Sequence, residues 1–202
     1  MEIRDINHIE QAAGKSRPEL LRFGLALLFV IGIMFYTWAS GGGNIMLIVA
    51  GMIGGYMALN IGANDVANNV GPAVGSRALS LGGALVIAAI FEAAGALIAG
   101  GDVVSTIRGG IIAPSAVANS DVFVWLMLAA LLAGAIWLNI ATASGAPVST
   151  THSIVGGVLG AGIAAGGWGV ANWGTMGSIA ASWIISPLMG GLVAAGFLYF
   201  IK

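Results

Sequence analysis

The segment "NIGANDVANNVGP" at residues 60–72 concentrates polar side chains directly after an apolar run. It contains one carboxylate, Asp65, and four amides: Asn60, Asn64, Asn68 and Asn69. In a helix, Asp65 would share one face with Asn68 and Asn69, which follow it by three and four residues. Asn60, Asn64 and Asn68, spaced by four, would form a neighbouring row. Carboxylate and amide oxygens suit a hard cation, so we predict that Asp65, Asn64 and Asn60 hold Na⁺ or H⁺. The alternative, a capped helix end at the membrane surface, explains one or two polar residues rather than five.

A second polar segment, "PVSTTHS" at residues 147–153, favours anion binding. Pro147 suits the first turn of a helix, and the residues after it would present N–H groups that have no partner within the helix. Four of the five residues after Val148 carry hydroxyls, which add donors without a fixed positive charge. Such a cradle suits a tetrahedral oxyanion. Ordinary N-capping by Ser149 or Thr150 is the alternative, although it does not explain so many hydroxyls.

Two further titratable side chains lie in or beside apolar sequence. Glu92 interrupts "VIAAIFEAAGALIAG", where a carboxylate is costly and usually functional. It would be protonated, or would pair with Arg77, Arg108 or a bound cation; the alternative is a neutral acid bonded to a neighbouring helix. For His152 a structural hydrogen bond to a carbonyl is favoured over a proton relay. We therefore expect coupling or structural roles for Glu92 and His152.

The composition indicates a membrane protein. Of 202 residues, 58% are hydrophobic and 7% are charged, whereas soluble domains carry about 25% charged residues. Between residues 23 and 201 the charges are few: Asp65, Arg77, Glu92, Asp102, Arg108 and Asp121. The net charge of −1 gives no indication of nucleic-acid binding, and without cysteine there is no disulfide or thiolate site. We expect no resident metal or cofactor, since two distant histidines are too few ligands for zinc.

The apolar runs predict an all-α polytopic protein of the plasma or inner membrane. Residues 1–22 are interpreted as a cytosolic amphipathic lead, because a cleavable signal would have a shorter polar start. We predict spans at 23–39, 45–59, 81–100, 122–143 and 178–201, with a turn at "SGGGN" and a polar connection at 101–121. Residues 154–167 are short for a span, so a half-helix or re-entrant element is an equal alternative. Gly62, Gly71 and Pro72 are expected to break the helix around Asp65.

The pair "GANDVANN" and "PVSTTHS", in this order and at this spacing, resembles the inorganic phosphate transporter family often called PiT or PHO4. The resemblance covers residues 45–201 as a single transport repeat, and residues 23–39 look like an extra leading helix that many members lack. Members are built as two inverted halves with discontinuous helices, and each half carries one copy of both motifs. Asn69 is a mild departure, because the family usually has a small residue there.

This resemblance implies a symporter that moves inorganic phosphate together with Na⁺ or H⁺ by alternating access. The residues that match the family's site are the acidic Asp65, the amides Asn64 and Asn68, the hydroxyls of Ser149, Thr150 and Thr151, and the membrane glutamate Glu92. We accordingly expect phosphate at Asn68 and the three hydroxyls. Because each motif occurs once, we expect a second inverted half. The chain would be the N-terminal half of a longer protein or, less favoured, an antiparallel homodimer.

Other functions remain open at this point. Since some relatives of the fold carry sulfate, a permease for another tetrahedral oxyanion is the nearest alternative. An anion channel would line its pore with rings of like groups, whereas here a carboxylate accompanies an anion cradle. An intramembrane hydrolase would use Ser149 or Ser153 with His152, but that spacing is generic and G-x-S-x-G is absent. The chain is therefore not expected to be an enzyme.

Overall fold

Five long apolar helices organise the protein. The computed structural model describes residues 3–117 and 119–201, with side chains for 18–115, 117 and 119–201. The helices long and apolar enough to cross a membrane are Pro18–Ser40, Ile45–Gly75, Leu81–Gly110, Ser120–Ala143 and Trp173–Ile201. Over the described ranges the only β pairing is an isolated bridge between Ile112 and Ala171. The prediction of an all-α polytopic membrane protein is confirmed.

The first helix, α1 (Ile3–Ser40), is continuous, so the predicted lead and the predicted first span lie in one helix. Its span-like part begins at Pro18. The amphipathic character predicted for residues 1–22 falls mostly outside the described side chains. The helix ends at the predicted turn, where Gly42 and Gly43 have φ values of 59° and 80°. Glycine adopts these angles without steric cost, which lets the chain reverse direction.

Helix α2 (Ile45–Ile61) packs against α1 through glycines. A Cβ on Gly51 would lie 2.6 Å from Cγ2 of Thr37, and one on Gly55 would lie 2.5 Å from Cδ1 of Ile33. Small residues allow two membrane helices to approach this closely. The pair of glycines therefore serves helix packing.

The polar segment that follows α2 does not break the helix. Residues Gly62–Val66 form a π-helical turn, and α3 (Ala67–Gly75) continues from it with Pro72 inside the helix. The expected break at Gly62 is wrong, because its backbone is helical, with φ −58° and ψ −39°. A π turn widens the helix without ending it, and such turns often occur at functional sites. The motif thus lies within one continuous helical span.

The third span is longer than predicted. Helix α4 (Leu81–Ser105) continues into a second π turn, Thr106–Gly110, so the first half of the predicted polar connection is helical. After it, the N–H of Asn172 donates to the carbonyl oxygen of Ile111 at 2.9 Å. This bond ties the end of the π turn to the start of the last helix.

Helices α5 (Ser120–Ala143) and α6 (Thr150–Gly166) form the tightest pair. A Cβ on Gly157 of α6 would lie 2.7 Å from the carbonyl oxygen of Ala130 on α5. Helix α6 has 17 residues, so it is about 25 Å long, a little less than the roughly 30 Å of a bilayer core. The half-helix or re-entrant alternative therefore stays a prediction. The last helix, α7 (Trp173–Ile201), has no buried residue among those described.

Candidate functional site

Asn64 connects the two polar segments. Its amide nitrogen donates to Oγ1 of Thr142 and to the carbonyl oxygen of Ala146, both at 3.1 Å. Its amide oxygen accepts from Nδ2 of Asn68 at 3.1 Å and from the N–H of Val148 at 3.3 Å. Since an asparagine amide offers two donors and two lone pairs, Asn64 is fully paired. It fixes the loop before α6 against the π turn, and its side chain is only 5% exposed.

Asn60 makes a second connection from α2 to α5. Its Nδ2 donates to the carbonyl oxygen of Tyr56 at 2.8 Å, and its Oδ1 accepts from Nδ2 of Asn139 at 3.1 Å. The amide oxygens of Asn60 and Asn64 are thus both engaged within the protein. Their role as cation ligands stays a prediction: Oδ1 of Asn60 keeps one lone pair, whereas Oδ1 of Asn64 would have to give up a bond. Asn139 was missed in the sequence because a lone asparagine in an apolar helix forms no motif.

Asp65 and Asn68 differ from these paired amides. Asp65 is half-buried, and in the part of the chain that the structure describes no hydrogen bond or ion pair engages its carboxylate. Asn68 is exposed and uses Nδ2 to bond Asn64, which leaves its Oδ1 available. In the described structure, the side-chain oxygens of the first segment that no hydrogen bond engages are therefore those of Asp65, Asn68 and Asn69, of which Asn68 and Asn69 are exposed.

Glu92 lies close to the first segment rather than to an arginine. It lines a cavity of about 750 Å³ between α3 and α4, together with Asn69. Neither Arg77 nor Arg108 lines this cavity, and no ion pair of Glu92 is found among the described residues. Of the partners considered from the sequence, the structure therefore places neither arginine beside Glu92.

The second polar segment forms the start of α6, and one of its residues caps the helix, as in the N-capping alternative of the sequence analysis. Ser149 is the N-cap, and its Oγ accepts from the N–H of His152 at 3.3 Å. The hydroxyl of Ser153 donates to the carbonyl oxygen of Ser149 at 2.8 Å. The helix starts at Thr150, so the N–H groups of Thr150 and Thr151 have no intrahelical acceptor. Two hydroxyls of the segment are thus used within the helix, and two remain.

Thr150 holds a buried hydroxyl without a partner. Its side chain is 6% exposed, and no hydrogen bond reaches its Oγ1 in the described structure. Burying an unpaired hydroxyl costs about 1–3 kcal/mol. A native structure retains such a group only for a reason, such as binding.

A groove of about 610 Å³ lies beside the start of α6, between the second π turn and α7. The hydroxyls that line it are those of Thr106, Ser149, Thr151, Ser182 and Ser186. His152 also lines it and packs on Trp183 of α7, with ring centroids 4.0 Å apart. The sequence interpretation missed the two serines of α7, although their spacing of one helical turn was a usable signal.

The structure is that of a polytopic membrane protein, in which a polar π turn is joined to a hydroxyl-rich helix start with a groove beside it. The sequence profile of the phosphate transporter family matches residues 61–202. The chain belongs to this family.

Individual relatives agree with the family assignment. A candidate phosphate permease of Helicobacter pylori strain J99 is 56% identical over 205 residues, covering 100% of this chain and 38% of that protein. A candidate phosphate permease of Pyrococcus abyssi is 48% identical over 148 residues, covering 73% of this chain and 36% of that protein. A solved structure titled "The sodium-dependent phosphate transporter" has a TM-score of 0.69 and 46% identity, over 73% of this chain and 36% of that one. The chain therefore spans little more than a third of these relatives' length.

Proposed function

We propose that this chain is one repeat of a cation-coupled phosphate symporter that works by alternating access. The observation that carries the proposal is the Asn64 bridge, which joins the segment holding Asp65 to the segment that begins α6. A change at one segment is therefore transmitted mechanically to the other. Membership of the phosphate transporter family supports phosphate as substrate, and the sodium-dependent structural neighbour supports Na⁺ rather than H⁺.

In this proposal Asp65 supplies the charge that holds the cation, because its carboxylate is free of internal hydrogen bonds. A second oxygen for the cation is Oδ1 of Asn68, three residues after Asp65, because the hydrogen bond to Asn64 uses only the nitrogen of this amide. Asn64 and Asn60 keep the π turn in position. Asn60 can join the cation shell through its remaining lone pair, and Asn64 joins it only if one of its present bonds opens. Glu92 acts in coupling from the adjacent cavity.

Phosphate binds at the start of α6. The N–H groups of Thr150 and Thr151 carry the partial positive charge of a helix N-terminus, which favours an anion. The hydroxyls of Ser149, Thr150 and Thr151 add hydrogen-bond donors. Without a cation, the carboxylate of Asp65 would repel the incoming anion, so cation binding lowers the electrostatic cost of phosphate binding. This repulsion is the physical source of coupling.

A second, inverted repeat completes the site in the working transporter. Relatives such as the Helicobacter pylori protein are long enough to hold one, since this chain covers 38% of that protein. We propose that residues 45–201 are the repeat and that residues 23–39 of α1 are an addition to it. The family profile, which begins at residue 61, leaves α1 outside.

The test is uptake of radiolabelled phosphate into proteoliposomes that hold the chain, with and without an inward Na⁺ gradient. Gradient-driven uptake supports the symporter and shows that copies of the chain complete the site. If the vesicles show no uptake, Na⁺-dependent phosphate binding would still support the proposal that the chain is one repeat of a symporter. The second repeat would then be a different polypeptide segment rather than another copy of this chain. Phosphate currents that persist without any cation gradient would contradict a symporter and favour a channel.

A further inference from the structure

We propose that Thr106 and Ser182 recognise the proton on phosphate and thereby exclude sulfate. The inference rests on the proposed function, and it adds two specificity-determining residues that belong to neither sequence motif. Both line the groove of about 610 Å³ beside the start of α6. Thr106 comes from the π turn after α4, and Ser182 comes from α7.

Both hydroxyls have already used their single proton. Oγ1 of Thr106 donates to the carbonyl oxygen of Asp102 at 3.1 Å, and Oγ of Ser182 donates to the carbonyl oxygen of Ile179 at 2.7 Å. A hydroxyl has one proton to donate and two lone pairs that accept. Toward a ligand in the groove, each of these side chains therefore offers lone pairs alone.

Pro187 leaves a further backbone acceptor in α7. Proline has no N–H, so the carbonyl oxygen of Trp183, four residues earlier in α7, lacks its usual helical donor. Trp183 and Pro187 both line the groove. The walls formed by α7 and the π turn thus offer acceptors to a ligand.

The wall formed by α6 offers donors instead. The Oγ atom of Ser149 accepts from the N–H of His152, so its own proton remains available to a ligand. Thr151 lines the same groove at the second residue of α6, where backbone N–H groups are unpaired. A ligand between the walls meets donors on one side and acceptors on the other.

Phosphate fits this arrangement better than sulfate does. Near neutral pH phosphate carries at least one O–H group, which can donate to an acceptor, while its other oxygens accept. Sulfate carries no proton, so its oxygens would face the lone pairs of Thr106 and Ser182. A site built to pair an O–H rejects an analogue that lacks it, because its polar groups are left unpaired. Among the described residues no lysine or arginine lines the groove, so a fixed cationic side chain does not offset this penalty.

The test measures binding of radiolabelled phosphate to the whole chain in lipid nanodiscs with Na⁺ present. Unlabelled arsenate, which carries the same O–H groups, and unlabelled sulfate serve as competitors. In the wild type, arsenate should compete and sulfate should not. Thr106→Val and Ser182→Ala should each lower phosphate affinity about 10-fold, since each removes a hydrogen bond to a charged ligand. Each should also make sulfate a better competitor.

Neighbouring residues provide matched controls. The hydroxyls of Ser105 and Ser178 also donate to their own helices, at 2.8 Å to Asp102 and 3.2 Å to Gly174, but neither residue lines the groove. Ser105→Ala and Ser178→Ala should therefore leave selectivity unchanged. Ser182→Thr, which keeps the hydroxyl, should retain the preference for phosphate.

Two results would overturn the inference and leave the proposed function standing. One is a loss of phosphate affinity in the variants with no gain in competition by sulfate. The other is a loss of Na⁺ affinity with unchanged anion selectivity, which would show that the lone pairs hold the cation. A wild-type chain that binds no phosphate would remove the proposed function and this inference together.

Discussion

Two buried residues, one in each polar segment, are satisfied to different degrees. Asn64 in the first segment is 5% exposed and makes four hydrogen bonds within the protein. Thr150 in the second is 6% exposed and makes none through its hydroxyl. We infer that the first segment is mainly a structural connection with one free charge, Asp65. In our proposal the second segment keeps its donors for a ligand.

The largest expected effect comes from breaking the connection. Asn64→Ala leaves the carbonyl of Ala146 and the N–H of Val148 without their partner in a half-buried loop. Each group left unpaired costs about 1–3 kcal/mol, so the variant should lose roughly 3 kcal/mol of unfolding free energy. Equilibrium unfolding in mixed detergent micelles measures this loss.

Asn68→Ala is the control, because the exposed Asn68 loses a single bond to Asn64. It should cost less than about 1 kcal/mol. Equal stability of the two variants would show that Asn64 does not connect the segments.

The next effect concerns the scaffold that positions the second segment. Gly157→Ala places a methyl group against the backbone carbonyl of Ala130, so α5 and α6 must separate. Overpacking of this kind costs about 1–3 kcal/mol, and thermal unfolding should show a lower Tm. Gly156→Ala is the matched control, because nothing lies within 4 Å of a Cβ there. Because alanine has the higher helix propensity, Gly156→Ala should leave Tm unchanged or raise it. A Tm that falls equally in both variants would mean that the contact with Ala130 does not decide the result.

The smallest expected effect is on the free energy of unfolding when either of two threonines is replaced by valine, and it should differ between them. Oγ1 of Thr142 donates to the carbonyl of Leu138 and accepts from Asn64, so Thr142→Val should destabilise the chain by about 1 kcal/mol. Thr150→Val removes an unpaired hydroxyl and should leave stability unchanged or slightly higher, while weakening phosphate binding. Unfolding and binding measured on the same preparations distinguish the two. A destabilised Thr150→Val with normal phosphate binding would contradict a ligand-binding role for that hydroxyl.

Most of the helices could be predicted because long apolar runs leave little choice of structure. The predicted span at 122–143 agrees with α5, Ser120–Ala143, within two residues at its start. The π turns were missed because no residue type is required for them. Gly62 and Pro72, which often end helices, lie here in a backbone that stays helical.

The sequence identified which polar residues matter, but it did not predict their hydrogen-bond partners. The motif marked Asn64, but its bonds to Thr142 and Ala146 depend on which helices pack together. Asn139 is a single amide in an apolar helix, so only its position beside Asn60 shows its importance. Ser182 carried a spacing signal with Ser186, but only the structure places both on the groove. The site residues named from the sequence stay predictions until binding is measured.

The most direct test of the account is phosphate affinity measured against Na⁺ concentration, for the wild type and for Asp65→Asn in nanodiscs. The account predicts that Na⁺ raises wild-type phosphate affinity about 10-fold, a typical size for coupling between two sites. In Asp65→Asn the affinity should no longer respond to Na⁺. Asp121→Asn, at an exposed carboxylate in the first turn of α5, should respond as the wild type does. An Asp65→Asn chain that keeps the full Na⁺ response would contradict the claim that this segment supplies the coupling charge.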